Sequence, residues 1–133
     1  MKQTLLSLLL LLLPVAASAD ANGTCGENLT WTFESATGTL TISGTGQMAK
    51  YGLSNPAPWY NFRFDILKVI FESGVTSIDD CAFFDCSNLT SISIPDGMTE
   101  INFGAFQDCN ELININIPKS VTWLGVGVFL LCI

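Results

Sequence analysis

Leu89-Thr90-Ser91-Ile92-Ser93-Ile94-Pro95 is followed 23 residues later by Leu112-Ile113-Asn114-Ile115-Asn116-Ile117-Pro118, and Ile66-Leu67-Lys68-Val69-Ile70-Phe71-Glu72 precedes it at the same interval. The interval extends well beyond these seven positions. Val75, Met98 and Val121 obey it, as do Ile78, Ile101 and Leu124; Ala82, Ala105 and Val128; Phe83, Phe106 and Phe129; and Cys86, Cys109 and Cys132. Eight columns are therefore apolar or cysteine in all three copies, while the residues between them vary among Ser, Asn, Asp, Thr and Lys. A fixed period of this length marks a repeated unit that cannot bury its apolar face alone and buries it against its neighbours.

Spacing within one unit gives its geometry. Ile92 and Ile94 lie two apart, so a strand points both to one face. Pro95 and Pro118 lack a backbone donor and end that strand. A second extended stretch, Met98 to Ile101, reaches the opposite wall. Gly104-Ala105-Phe106 then turns the chain back, and the phenylalanine fills the middle. The expected fold is a β-rich solenoid: a leucine-rich-repeat coil of period 23 with parallel strands about 4.8 Å apart, preceded by a β-hairpin N-terminal cap.

The pattern Leu-x-x-Ile-x-Ile-Pro-x-x-hydrophobic-x-x-Ile-x-x-x-Ala-Phe-x-x-Cys resembles the BspA-like (Treponema pallidum-type) leucine-rich repeat across residues 66–133. Cys25-Gly26-Glu27-Asn28-Leu29-Thr30-Trp31 and Pro58-Trp59-Tyr60 are similar to the region that precedes such repeats. Phe71-Glu72, Asp79 and Val128 depart from the pattern. The resemblance implies a secreted or cell-surface protein that adheres to host proteins and other microbes.

The two ends read differently. Lys2, the apolar run Leu5 to Leu13 and Ala17-Ser18-Ala19 make residues 1–19 an expected secretory signal peptide. That run is too short to span a bilayer, so no membrane span is expected once the signal is removed. Without Lys2 the chain carries four basic and twelve acidic residues, a formal charge of −8. Such a charge argues against nucleic acid as a partner, because phosphate recognition needs a basic patch. Residues 20–65 are the expected N-terminal cap. Leu29, Trp31 and Phe33 alternate with threonines, as do Leu40 and Ile42, and a glycine-containing connection joins them as a hairpin. Asn55-Pro56 is positioned to start a short helix through Trp59 and Phe62. Residues 66–133 are expected to be about three repeats, the last truncated, leaving an uncapped C-terminal end open to self-association.

Chemical motifs are sparse. Gly44-Thr45-Gly46-Gln47-Met48-Ala49 has the spacing of a dinucleotide fingerprint, but the following Tyr51-Gly52-Leu53-Ser54-Asn55-Pro56 cannot supply the helix that would bind a pyrophosphate. A plain glycine turn is expected there. The chain contains no histidine, so neither a Cys–His nucleophile pair nor an imidazole-ligated zinc site can form. Cys86, Cys109 and Cys132 are expected as a ladder of buried free thiols, with a Cys25–Cys81 bond left open. Asp79, Asp80 and Asp85 do not have EF-hand spacing and are expected to be solvated turn residues. Asn22, Asn28 and Asn88 begin N-glycosylation acceptor triplets, relevant only in a eukaryotic source. No catalytic, metal or cofactor residues are assigned, and the protein is expected not to be an enzyme.

The expected role is extracellular protein binding or adhesion, secreted or at the cell surface, with host proteins or glycans as partners. Outward-facing strand residues give two columns, Lys68, Ser91, Asn114 and Ile70, Ser93, Asn116, as the candidate ligand-binding surface. Trp123 and the column Thr76, Thr99, Thr122 offer a second face. The alternative is a structural N-terminal piece of a longer surface protein with no binding activity of its own.

Overall fold

The computed structural model describes residues 20–132, so the expected signal peptide, residues 1–19, lies outside the described residues. The described chain opens with an antiparallel meander, β1 (Ala21–Gly26), β2 (Leu29–Glu34) and β3 (Thr39–Gly44). Strands β4 (Lys68–Phe71), β5 (Ser77–Ile78), β6 (Ser91–Ser93), β7 (Glu100–Ile101) and β8 (Trp123–Leu124) follow. They form two sheets, one ordered β1-β2-β3-β4-β6 and one ordered β5-β7-β8. From β3 onward every pairing between these strands is parallel.

The hairpin read from the sequence is β2–β3. Leu29, Trp31, Phe33, Leu40 and Ile42 all point inward and are buried, while Thr30 and Thr32 are exposed. The sequence reading missed β1, and the physical reason lies in its small residues. Gly23 pairs with Trp31, and a Cβ on Gly23 would stand 2.9 Å from the indole Nε1. The large ring takes the space that an apolar side chain on β1 would otherwise fill, so β1 carries no alternating hydrophobic pattern. The expected helix also needs correction. It is a 3-10 helix, Tyr60–Asp65, beginning after Trp59 rather than at Asn55-Pro56. Asn55 instead closes a tight bridge with Gly52.

The interior is filled by the columns read from the sequence. Phe83, Phe106 and Phe129 stand in file, with centroid separations of 5.3 and 5.9 Å and rings within 9° and 5° of parallel. Trp59 continues the stack onto Phe83 at 5.2 Å, and its indole donates to the Ala82 carbonyl at 2.7 Å. This ring joins the N-terminal segment to the repeats. On the side of the shorter sheet, backbone and side chain act together. The hydroxyls of Thr99 and Thr122 donate to the carbonyls of Thr76 and Thr99, at 3.0 and 3.4 Å.

Two expectations fail near the C-terminus. Residues 114–116 form no ladder with β6, which is the last strand of its sheet. Leu124, expected in the interior beside Ile101, is 51% exposed. Both have the same cause. Neighbours cover these residues on one side only among the described residues: Leu124 pairs with Ile101 as the edge of its sheet, and residues 114–116 form no strand. Ile113, 80% exposed, shows the same lack of cover.

Backbone conformation repeats along the chain as well. Asp85, Asp108 and Leu131 all adopt positive φ, at 60°, 62° and 62°. Aspartate tolerates the left-handed region, whereas leucine there costs roughly 1–2 kcal/mol. Leu131 is 55% exposed, so little burial compensates. Leu131→Asn is expected to stabilise the protein by about 1 kcal/mol, read as a higher urea midpoint at unchanged slope. An unchanged or lower midpoint would show that Leu131 contributes packing that outweighs its backbone.

Candidate surface on the five-stranded sheet

Register fixes which outward residues lie side by side. Lys68 pairs with Thr39 on one flank and Ser91 on the other, and Ile70 pairs with Thr41 and Ser93. Lys68, Ser91 and Ser93 are exposed and Ile70 is half-buried. Four of the six residues singled out from the sequence therefore share one sheet face. Asn114 and Asn116 are exposed but lie outside the sheet. The sequence reading stopped this surface at the first repeat, yet the sheet runs on through the meander. Glu34 and Thr39 continue the Lys68 row, and Thr32 and Asn22 continue the Thr41 row. The alternation of Thr30, Thr32, Thr39 and Thr41 was visible. What was missing was the parallel β3–β4 pairing that joins two readings into one sheet.

Several charges elsewhere are held by local partners. Arg63 packs over the rings of Tyr60 and Phe64, 4.0 and 4.2 Å from their centroids, and pairs with Asp85 at 3.3 Å. Asp79 corrects the expectation of a solvated acid. It is 2% exposed and accepts from the Tyr51 amide at 2.8 Å and from Lys50 Nζ at 3.4 Å. A buried carboxylate persists only where such donors replace water; here they fasten residues 50–51 against the first repeat. Asp80 accepts from the Phe103 amide at 3.1 Å. The proposed second face is altered too: the hydroxyls of Thr99 and Thr122 are committed to carbonyls, which leaves Trp123, 60% exposed, as its main feature.

The five cysteines are free, four of them buried and Cys132 half-buried. Cys109 and Cys132 donate to the carbonyls of Phe83 and Phe106 at 3.2 and 3.0 Å. Burial pushes the thiols of Cys25 and Cys86 up to about 12, and raises those of Cys81, Cys109 and Cys132. Thiolate is the reactive form, so a thiol-specific disulfide reagent applied to the native chain below pH 9 should modify Cys132 first and spare Cys25, Cys86 and Cys109. Labelling of all five at one rate would contradict this burial. Because these pKa values are raised on folding, the thiols' contribution to stability is intact below the ordinary thiol value of 9.0 and is lost as pH climbs toward about 12.

No group of His, Cys, Asp and Glu suited to a metal ion occurs among the described residues. No described helix is long and apolar enough to cross a membrane. Gly44-Thr45-Gly46 forms a turn in which Gly46 bridges Val75, and no helix follows it.

Short parallel strands on two walls, joined through apolar columns and a file of phenylalanines, define a repeat protein of the leucine-rich class. More particularly, the BspA type leucine rich repeat region matches residues 59–133 in six copies, and the chain belongs to that family. A leucine-rich repeat protein from Eubacterium ventriosum is 34% identical with a TM-score of 0.73, over 83% of this chain and 30% of its own. A leucine rich cell surface protein from Faecalibacterium prausnitzii is 24% identical with a TM-score of 0.52, over 86% of this chain and 35% of its own, a likeness of fold. The chain thus spans about a third of the length of these solved structures. No curated protein matches it.

Proposed function

We propose that this chain is exported by residues 1–19 and presents a non-enzymatic binding surface outside the cell, secreted or at the cell surface. In this reading residues 20–65 cap one end of a solenoid whose turns are 23 residues long, and residues 66–133 form its repeats. Lys68, Ile70, Ser91 and Ser93 make the centre of the platform, with Asn114 and Asn116 at its margin. Extracellular or host proteins are the partners. What carries the reading is the register that sets Lys68 beside Ser91 and Ile70 beside Ser93 on one face of the sheet. A standard interface needs ~800 Å² per partner, and several copies or additional repeats would add to the affinity of one sheet face.

The test is capture on an array of extracellular proteins, comparing the native chain with Lys68→Glu combined with Ser91→Arg. Capture should fall at least roughly tenfold, as for loss of one central polar contact. Capture that survives this pair, and survives changes at Asn114 and Asn116, sinks the platform. A second reading is favoured by one observation, the third of their length over which this chain matches its solved neighbours. In it the chain is the structural N-terminal piece of a longer surface protein and captures nothing alone. Self-association through the exposed Trp123, Leu124 and Val126 end would appear as concentration-dependent mass.

A further inference from the structure

We propose that the depression between the β1–β2 turn and residues 45–49 is a second, separate binding site that takes a neutral sugar ring. The depression, of roughly 340 Å³, is lined by Glu27, Asn28, Thr45, Gln47 and Met48 along with backbone of Gly46 and Ala49. That volume is at the small end for ligand sites and suits one ring rather than a peptide.

Its walls are fixed by backbone. Thr45 donates to the Asn28 carbonyl at 3.1 Å, Gly46 to Gly74 at 2.9 Å and Ala49 to Cys25 at 2.8 Å. Met48 donates to the buried Ser77 hydroxyl at 3.0 Å. Two glycines make the close approach possible, since a Cβ on Gly44 would fall 2.0 Å from the Asn28 carbonyl and one on Gly26 2.6 Å from that of Gln47. The backbone of the site is therefore held in place, which lowers part of the cost of binding.

Its side chains specify the ligand class. Glu27, Asn28, Thr45 and Gln47 are exposed and none makes a side-chain hydrogen bond among the described residues, while Met48 below them is buried. One carboxylate, two carboxamides and a hydroxyl supply paired donors and acceptors, which match adjacent hydroxyls that both give and accept. Glu27 repels anions. A single carboxylate is too little for a dedicated calcium site, which collects six to eight oxygens with several charges. Hydroxyl groups on a neutral ring remain as the complement.

The test is an amide-resolved NMR titration of the full chain with methyl glycosides of glucose, galactose, mannose and N-acetylglucosamine. Calcium chloride and glucuronate serve as control titrants. We expect shifts confined to residues 26–28 and 44–49 with at least one neutral glycoside. Asn28→Ala and Gln47→Ala should each weaken that binding roughly tenfold, the loss of one hydrogen bond in a polar site. Both side chains are exposed, so these variants fold. Silence across the four glycosides, shifts elsewhere, shifts with calcium alone, or binding indifferent to both variants would each overturn the proposal. None of these outcomes bears on the sheet platform, because Lys68→Glu should leave this titration unchanged.

Discussion

Phe106→Ala should destabilise the protein by about 3–5 kcal/mol, the range for removing a buried phenylalanine. Phe106 is fully buried and is the middle ring of three, in contact with Phe83 on one side and Phe129 on the other. Truncation removes the ring's own burial and also the stacking of both neighbours, each pair contributing about 0.5–1.5 kcal/mol beyond area. The Cys132 thiol, which donates to the Phe106 carbonyl, keeps its acceptor, so the loss is one of packing. Small domains hold only about 5–15 kcal/mol in total. The variant should therefore sit near its unfolding midpoint in low urea, followed through Trp59, whose ring stacks on Phe83. Phe106→Leu should cost appreciably less because it leaves a smaller void. A cost below about 1 kcal/mol for the alanine variant would mean that the rings do not support one another.

Gly44→Ala is expected to be at least as damaging, by more than about 4 kcal/mol, the exceptional end of single substitutions. Gly44 has φ 111° and its absent Cβ would lie 2.0 Å from the Asn28 carbonyl oxygen. That oxygen belongs to backbone and is held by the Thr45 amide at 3.1 Å, so it cannot move aside. Gly97→Ala separates the two causes. Its φ is 102° but nothing lies within 4 Å of the added carbon, so only the conformational cost of roughly 1–3 kcal/mol remains. Equal midpoints for the two variants in thermal or urea unfolding would show that the close approach at Gly44 adds no cost of its own.

Most of the interior could be read from the chain because it repeats. Val69, Ile78 and Phe83 announce themselves by having counterparts at the same offset, and all three are fully buried. Where the chain does not repeat, the reading weakened for identifiable reasons. Strand β1 shows no apolar alternation because Trp31 occupies the space above Gly23. Asp79 reads as a surface acid because nothing in its neighbourhood along the chain signals the donors of residues 50–51, which arrive from a distant segment. Asn114 and Leu124 fit the pattern but lack neighbours to complete it, a matter of coverage that periodicity does not encode. The outward direction of Lys68 and Ser91 was legible, since alternation alone turns them away from the core. The polar depression was not, because its walls are two turns brought together by glycines, and its motif read as a plain glycine turn.

The join between antiparallel and parallel pairing also sets an order in time. Contacts within β1, β2 and β3 close short loops, whereas β4 must bring in a strand across a long intervening segment before it gains anything. Local closure is faster, so the meander should assemble first and offer its last edge as a seed on which each later strand is laid down. Growth would then run from the end of the chain that leaves the ribosome first, and amides of β2 should acquire protection from exchange before those of β7 during refolding.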